Sequence, residues 1–154
     1  MARIELQVES RASPQQVIAA LTDFTDRRPD MWPGLNPKMY RVYEVGDTWA
    51  EVQEGNSESI WARERYDWSV PGTVRWTVRE SSFSSPGDFV EAVVSPRRDG
   101  GSVIAVTWSR RGKTWPAKLM VGLISLVGGM PVKRSIEAGL RRIEAGSIQE
   151  RRSS

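Results

Sequence analysis

A carboxylate and a phenol stand two residues apart in residues 60–69, a run in which apolar and charged side chains alternate. That alternation is typical of a β-strand with one buried face, and it places Glu64 and Tyr66 together on the apolar face. Burial raises the pKa of a carboxyl group toward neutrality, where proton transfer is efficient. If the chain is an enzyme, we therefore expect Glu64 to be its acid/base and Tyr66 its hydrogen-bonding partner, with Glu54 as a weaker third candidate. The alternative is that an arginine holds Glu64 ionised and the pair only organises the interior.

The composition removes much other chemistry. Neither His nor Cys occurs among the 154 residues. Their absence excludes Ser-His and Cys-His dyads, disulfides, thiol nucleophiles and thiolate metal sites. We predict no metal site and no cofactor, so any catalysis would use carboxylate, Tyr, Ser, Thr, Lys or Arg side chains.

Regular turn signals divide the chain into short elements. Runs rich in Val, Trp, Tyr and Thr predict seven antiparallel strands, at residues 3–9, 39–45, 48–54, 60–69, 73–81, 88–95 and 102–110. The sequence SPQQ at residues 13–16 is a capping box and predicts a short helix after the first strand. A second short helix is expected to begin near Thr22 or Asp23 and to stop before Pro33.

A long apolar stripe predicts a C-terminal helix that begins near Thr114. The stripe resumes after Gly128, Gly129 and Pro131, which predict a kink. Two roles for the kink stay open, a gate for ligands or a bend that follows the sheet. This helix is the one predicted element able to cover a sheet face. The predicted fold class is therefore α+β, a seven-stranded curved antiparallel sheet wrapped around the long helix, in one domain (residues 1–146) with a frayed tail (residues 147–154).

The inward face of the predicted sheet combines large aromatic and small aliphatic side chains. Such a mixture leaves an irregular volume between sheet and helix, where a ligand would bind. The competing interpretation is that the tryptophans fill the core. The predicted ligand-binding residues are Trp68, Trp76, Trp108, Val52, Ile104, Val106 and Leu123.

Three stretches resemble a known family: EVQEG at residues 51–55, WARERYDW at residues 61–68, and SP at residues 95–96 ahead of DGG at residues 99–101. They look like the polyketide cyclase/dehydrase-like branch of the SRPBCC (START-related) superfamily, as found in actinobacterial genomes. The resemblance covers about residues 2–146, and it implies the helix-grip fold with a deep hydrophobic cavity. Members include lipid and sterol carriers, hormone-binding proteins, aromatase/cyclases and many proteins without an assigned activity. The family has no universal catalytic residues to carry over.

Three functions are compatible with these patterns. The first is binding of a small hydrophobic ligand, lipid or polyketide-like, without an assigned reaction. The second is a metal-independent polyketide aromatase/cyclase, in which a carboxylate and a Tyr assist enolisation and dehydration. The third is a membrane- or protein-interaction module, because the C-terminal helix is apolar over residues 121–127 and basic from Lys133 to Arg142. Residues 97–154 carry 12 basic and 4 acidic side chains, whereas residues 1–96 carry 10 and 15.

The expected partner is a small hydrophobic molecule. Nucleic acid is not predicted, because the aromatic side chains face inward, away from most arginines. The sequence MARIELQVES at the N-terminus lacks the apolar segment of a signal peptide, so we expect a cytoplasmic protein. The family resemblance implies a bacterial protein, and we expect a monomer or a homodimer. The uncharged residues 119–132 are shorter than the roughly 20 residues that a membrane span needs.

Overall fold

Alternation of apolar and polar side chains produces seven β-strands in the computed structural model, which describes residues 2–111 and 130–153. The strands are β1 (Ala2–Ser10), β2 (Arg41–Val45), β3 (Trp49–Ser57), β4 (Ile60–Asp67), β5 (Thr73–Ser81), β6 (Phe89–Pro96) and β7 (Ser102–Arg110). Helices α1 (Pro14–Leu21) and α2 (Arg28–Met31) follow β1, and a short 3₁₀ helix (Pro37–Met39) precedes β2. Helix α3 (Met130–Ser153) is the last element described.

The seven strands form one antiparallel sheet in the order β1-β7-β6-β5-β4-β3-β2. Strands β2 to β7 are sequential neighbours, while β1 pairs with β7 over its whole length, from Ala2 opposite Arg110 to Ser10 opposite Ser102. The sheet is curved, and α3 packs on its inner face. The predicted α+β helix-grip class is therefore confirmed.

The inner face of the sheet carries the hydrophobic core, as the strand alternation predicts. In β4, Ala62, Glu64 and Tyr66 are buried, while their sequence neighbours are only half-buried. The other inward strand residues of the core are Ile4, Val8, Ala50, Val52, Val74, Val90, Ala92, Val94, Ile104, Val106 and Trp108.

The described part of α3 turns its apolar side chains toward this core. Leu140 is buried, and Ile136 and Ile143 pack against the core cluster. The helix continues past residue 146 to Ser153, and the division into a domain and a tail remains a prediction. Within the described ranges, no helix is both long enough and apolar enough to cross a membrane. Some predictions depend on residues outside the described ranges. They are the helix start at Thr114, the ligand contact of Leu123, and the gate at Gly128 and Gly129.

The second short helix begins later than predicted. The capping box of α1 is confirmed, with Ser13 as its N-cap. Thr22, however, is the C-cap of α1, and the Asp23 carboxylate accepts a hydrogen bond from the Thr25 amide (3.0 Å). These contacts form a turn after α1, so helical structure resumes only at Arg28 and ends before Pro33, as expected.

Several strand ends also differ from the prediction: β3 runs three residues further, to Ser57, and two other differences have local reasons. The Asn36 side chain accepts a hydrogen bond from the Lys38 amide and caps the 3₁₀ helix, so β2 starts at Arg41. The Asp67 carboxylate accepts from the Ser69 amide (2.9 Å) and begins a turn, so β4 ends at Asp67. In both places a side chain offers the backbone an alternative to the sheet.

A close approach between Trp32 and α3 depends on a glycine. A Cβ atom at Gly139 would overlap the indole ring of Trp32, whereas a Cβ at Gly146 meets no atom within 4 Å. Gly139 therefore allows the segment after α2 to pack tightly on the helix.

We expect Gly139→Ala to be destabilised relative to Gly146→Ala by about 1–3 kcal/mol. Alanine improves helix propensity at both sites, but only at residue 139 does it overpack a neighbour. Urea denaturation of the two variants measures the difference. Equal stabilisation of both variants would contradict the packing described here.

Candidate functional site

An apolar cavity of about 190 Å³ lies between the inner face of the sheet and α3. Its walls come from α1, from α2 and the residue that follows it, from strands β3 to β7, and from α3. The apolar lining residues are Val17, Leu21, Trp32, Trp76, Ala92, Ile104, Val106, Ile136 and Leu140. We call this space the inner chamber, and its lining suits an apolar body rather than a charged group.

A second cavity of about 350 Å³, the outer chamber, adjoins the first. The two share the lining residues Glu54, Tyr66, Trp76 and Ser135. Exposed Gly34 and Asn56 also line the outer chamber, so it reaches the protein surface. The charged residues on its wall are Glu54, Glu64 and Arg110. An elongated molecule would thus have an apolar end and a polar end available to it.

The junction of the chambers is built around a buried arginine. Arg28, at the start of α2, is 3% exposed, and its Nε donates to Glu54 Oε2 on β3 at 2.8 Å. Its Nη2 donates to Tyr66 Oη on β4 at 3.3 Å and to Glu54 Oε1 at 3.5 Å. Its Nη1 donates to two backbone carbonyls, Leu21 O (3.1 Å) and Asp23 O (3.0 Å). All five N–H groups of this guanidinium are therefore occupied.

The electrostatics of this cluster keep Arg28 charged and Tyr66 protonated. Burial alone would lower the pKa of Arg28, but the carboxylate of Glu54 and the phenol of Tyr66 raise it above its ordinary value. Burial, together with the Glu54 carboxylate, raises the pKa of Tyr66 well above its ordinary value. The Tyr66 hydroxyl accordingly donates to Glu54 Oε1.

Aromatic rings enclose the same cluster. The Phe24 ring lies 4.5 Å from the Arg28 guanidinium carbon and packs edge-on against Tyr66 (4.9 Å between ring centroids). On its other side Tyr66 stacks on Trp76 (5.3 Å, 16° between planes), and Phe24 stacks on Trp68 (5.8 Å). Cation–π contacts of this kind stabilise the desolvated guanidinium.

A second buried ion pair lies on the wall of the outer chamber. Arg110 Nη2, at the end of β7, donates to Glu64 Oε2 at 3.4 Å, and both residues are buried. Burial raises the pKa of Glu64, although the charge of Arg110 opposes that shift. Behind the arginine, Nη1 donates to Ser84 Oγ (3.3 Å), which donates to Asp88 Oδ2 (2.6 Å).

Asp88 completes this network as a carboxylate. Burial would raise the pKa of Asp88, but hydrogen bonds from the Ser84 hydroxyl and from Arg111 lower it. The backbone N–H and the Nε of Arg111 donate to the two oxygens of Asp88, at 2.7 and 3.0 Å. The Asp88 carboxylate, neutralised by Arg111, thereby fixes the orientation of Ser84. Ser84 in turn fixes the orientation of Arg110.

The predicted acid/base pair lies at the cavity, but the predicted partnership is wrong. Glu64 and Tyr66 both line the outer chamber. Tyr66 nevertheless bonds to Glu54 and Arg28, and Glu64 bonds to Arg110. Glu54, the weaker third candidate, is thus the partner of Tyr66. The arginine alternative for Glu64 agrees with the observed contact, and a catalytic role for any of these residues stays a prediction.

The predicted ligand-binding residues divide into two groups. Trp76, Ile104 and Val106 line the inner chamber. Val52, Trp68 and Trp108 belong to the core beside the chambers and are not among the residues that line them. Val52 is completely buried beneath its neighbours, and Trp68 is used in the stack on Phe24. Leu123 lies outside the described residues.

Sequence reasoning missed three residues at this site: Arg28, Trp32 and Arg110. Arg110 continues the inward series of β7 after Ile104, Val106 and Trp108, so strand alternation was a usable signal for it. For Arg28 and Trp32 no comparable pattern exists, because their positions depend on where the short helix α2 begins. Among residues 2–111 and 130–153, no three acidic side chains converge to hold a metal ion.

Comparison with known proteins shows what this architecture is similar to. The sequence matches no protein-family model and no curated protein. Solved structures do match. The protein TTHA0849 from Thermus thermophilus has a TM-score of 0.75 at 13% identity, covering 94% of this chain and 99% of that one.

Two further matches carry descriptive names. The ZhuI aromatase/cyclase from Streptomyces sp. R1128 has a TM-score of 0.73 at 15% identity, covering 99% of this chain and 95% of its own. A START superfamily protein from Mycobacterium smegmatis has a TM-score of 0.73 at 12% identity, covering 94% and 99%. The chain therefore has an SRPBCC-type fold, as the sequence resemblance implies. At such low identity the likeness establishes the fold alone.

We expect Arg28→Gln to lower the free energy of unfolding by about 3–5 kcal/mol, because it leaves the Glu54 carboxylate without its buried partner. Arg141→Gln is the matched control. It removes the exposed pair with Glu137 on α3 (3.6 Å) and should cost less than about 1 kcal/mol. Denaturant titration of both variants tests this, and equal losses would show that the Arg28 cluster contributes no more than a surface pair.

Proposed function

We propose that this protein binds a small hydrophobic molecule in the two joined chambers. The observation that carries the proposal is the inner chamber itself, an apolar space bordered by side chains of the hydrophobic core. Protein interiors rarely leave such volumes without a function, because each unfilled void forfeits packing energy. Each methylene group moved from water into the chamber would favour binding by about 0.8 kcal/mol.

The lining residues support an orientation for such a ligand. Its apolar body would lie against Ile104, Val106 and Leu140, and its polar end would reach the outer chamber beside Glu64 and Arg110. Trp76 lines both chambers and would contact the middle of the molecule. The similarity in fold to a START superfamily protein agrees with this proposal.

A neutral apolar dye, N-phenyl-1-naphthylamine, tests the cavity directly. We expect the dye to gain fluorescence on binding and to quench tryptophan emission, because Trp32 and Trp76 line the inner chamber. Ala92→Leu adds a larger side chain to that chamber and should weaken dye binding by about tenfold or more, the equivalent of roughly 1.4 kcal/mol.

Ala105→Leu makes the same change on β7 but on the opposite face, where residue 105 lies across from Val93, so it should leave dye affinity unchanged. Thermal unfolding confirms that both variants are folded. Equal dye affinity in the two variants would place the dye outside the inner chamber. Mass spectrometry of organic extracts from the purified protein would then identify a ligand retained from the host.

A second candidate function, a metal-independent cyclase or dehydrase, is favoured by one observation. Glu64, whose pKa is raised by burial, shares the wall of the outer chamber with a buried guanidinium. A carboxyl group of raised pKa suits proton transfer during enolisation, and a fixed arginine can stabilise the enolate oxygen. The similarity in fold to an aromatase/cyclase agrees with this interpretation.

Glu64→Gln separates the two functions. If the protein is a cyclase, this variant should lose most of its turnover of a poly-β-ketone chain, by about 10²-fold or more, and keep its dye affinity, because the shape is conserved while the transferable proton is lost. Exposed Glu80→Gln on β5 is the control for the loss of one charge. Cyclised product formed at the wild-type rate by Glu64→Gln would exclude the carboxyl group of Glu64 from the chemistry.

A further inference from the structure

The two buried arginines of the site differ in how completely they are hydrogen-bonded. Arg28 uses all five of its N–H groups within the protein. Arg110 uses two, one toward Glu64 and one toward Ser84. Among the described residues no acceptor meets the remaining three. A guanidinium that is only 7% exposed normally satisfies its donors.

The position of these spare donors points to a ligand. Arg110 lines the outer chamber together with Glu64, Trp61 and Phe83. The rings of Phe83 and Trp108 lie 5.3 and 5.9 Å from its guanidinium carbon, so two aromatic rings lie near the charge. Aromatic faces stabilise the charge but accept no strong hydrogen bond, and the donors therefore remain available to an oxygen inside the chamber.

The charges around Arg110 favour an anionic oxygen over a cationic group. Glu54, the other carboxylate in the chamber, is already bonded to Arg28 and Tyr66. Asp88, behind Ser84, is neutralised by Arg111. Glu64 meets Arg110 through one contact of 3.4 Å, longer than the 2.7–2.9 Å of a strong charge-assisted bond. A ligand carboxylate could form shorter, bidentate contacts with the same guanidinium.

We propose that Arg110 binds the carboxylate of an amphipathic acid whose apolar body occupies the inner chamber. This inference rests on the proposed function and adds the chemical class of the ligand. The chambers meet at Glu54, Tyr66 and Trp76, so a single molecule extends from the apolar wall to the guanidinium. Ser84, held by Asp88, keeps the guanidinium in a fixed orientation for the acid.

Displacement of N-phenyl-1-naphthylamine by three ten-carbon competitors at neutral pH tests this assignment. Decanoic acid, 1-decanol and decylamine each have an unbranched chain of ten carbons and differ in the charge of the head group. We expect wild-type protein to bind decanoic acid about tenfold or more tightly than 1-decanol, since a hydrogen bond to a charged group contributes enough for that ratio. Decylamine should be the weakest of the three.

Arg110→Gln should reduce the preference for the acid over the alcohol to less than about threefold, with the larger loss of affinity falling on decanoic acid. Arg110→Lys keeps the charge without the planar fork and should retain an intermediate preference. Arg79→Gln, an exposed arginine on the outer face of β5, is the control for net charge and should keep the wild-type ratio.

The outcomes separate this inference from the proposed function. If 1-decanol or decylamine competes as well as decanoic acid in the wild type, the cavity binds ligands but Arg110 is not a carboxylate anchor. An equal loss of all three competitors in Arg110→Gln would give the arginine a purely structural role and overturns the assignment as well. If neither the dye nor any competitor binds, the proposed function itself fails. A wild-type ratio near one overturns the assignment even where a variant does not fold, and Arg110→Lys tests the arginine where Arg110→Gln does not fold.

Discussion

The guanidinium of Arg28 is the constraint on which the site depends, because a charge removed from water must be compensated on every side. Its donors reach the carbonyls at the end of α1, the carboxylate of Glu54 on β3 and the phenol of Tyr66 on β4. One side chain thus connects two strands to the segment between the short helices. That connection positions α2. The residues after α2 follow: the ring of Trp32 packs against α3, and residues 33–35 line the outer chamber. The hydrogen bonds that compensate the buried charge of Arg28 therefore also position this part of the cavity wall.

The positions of the remaining polar groups reflect the free energy that burying them in an apolar interior costs. The sheet side of the inner chamber is lined mainly by aliphatic and aromatic side chains. Among the described residues, the polar and charged ones that line it are those of the junction and Ser135. The outer chamber holds the Glu64–Arg110 pair, where a ligand head group or water can complete the hydrogen bonds that the described residues leave open. A saturated ion pair at the junction and an unsaturated one on the wall of the outer chamber have different consequences. The first rigidifies the fold, and the second is where the proposed recognition or proton transfer would take place.

An SRPBCC-type fold supplies the cavity but does not choose its contents, because one architecture hosts many chemistries through the residues that line it. Here those residues argue for a ligand with an apolar body and an oxygen-bearing end. They also leave a route to chemistry through Glu64, since carrier and cyclase would use the same chamber. A carrier and a cyclase differ in whether a proton is transferred to or from the bound ligand. That transfer depends on how the carboxyl group of Glu64 and the guanidinium of Arg110 contact the bound molecule.

Local patterns in the sequence determine the elements and their faces. Strands β5 and β7 have the predicted bounds, the capping box begins α1 as predicted, and Glu64 and Tyr66 face inward because side chains alternate along any strand. The partners of those side chains were decided only by the tertiary structure. The pairing of β3 with β4 and the later start of α2 bring Arg28 to Glu54 and Tyr66, whereas Glu64 pairs with Arg110. The same packing places Val52, Trp68 and Trp108 in the core instead of on the cavity wall. Alternation specifies a direction, whereas contact between residues far apart in the chain depends on register, bulges and the closing of a charge network, which no single segment encodes.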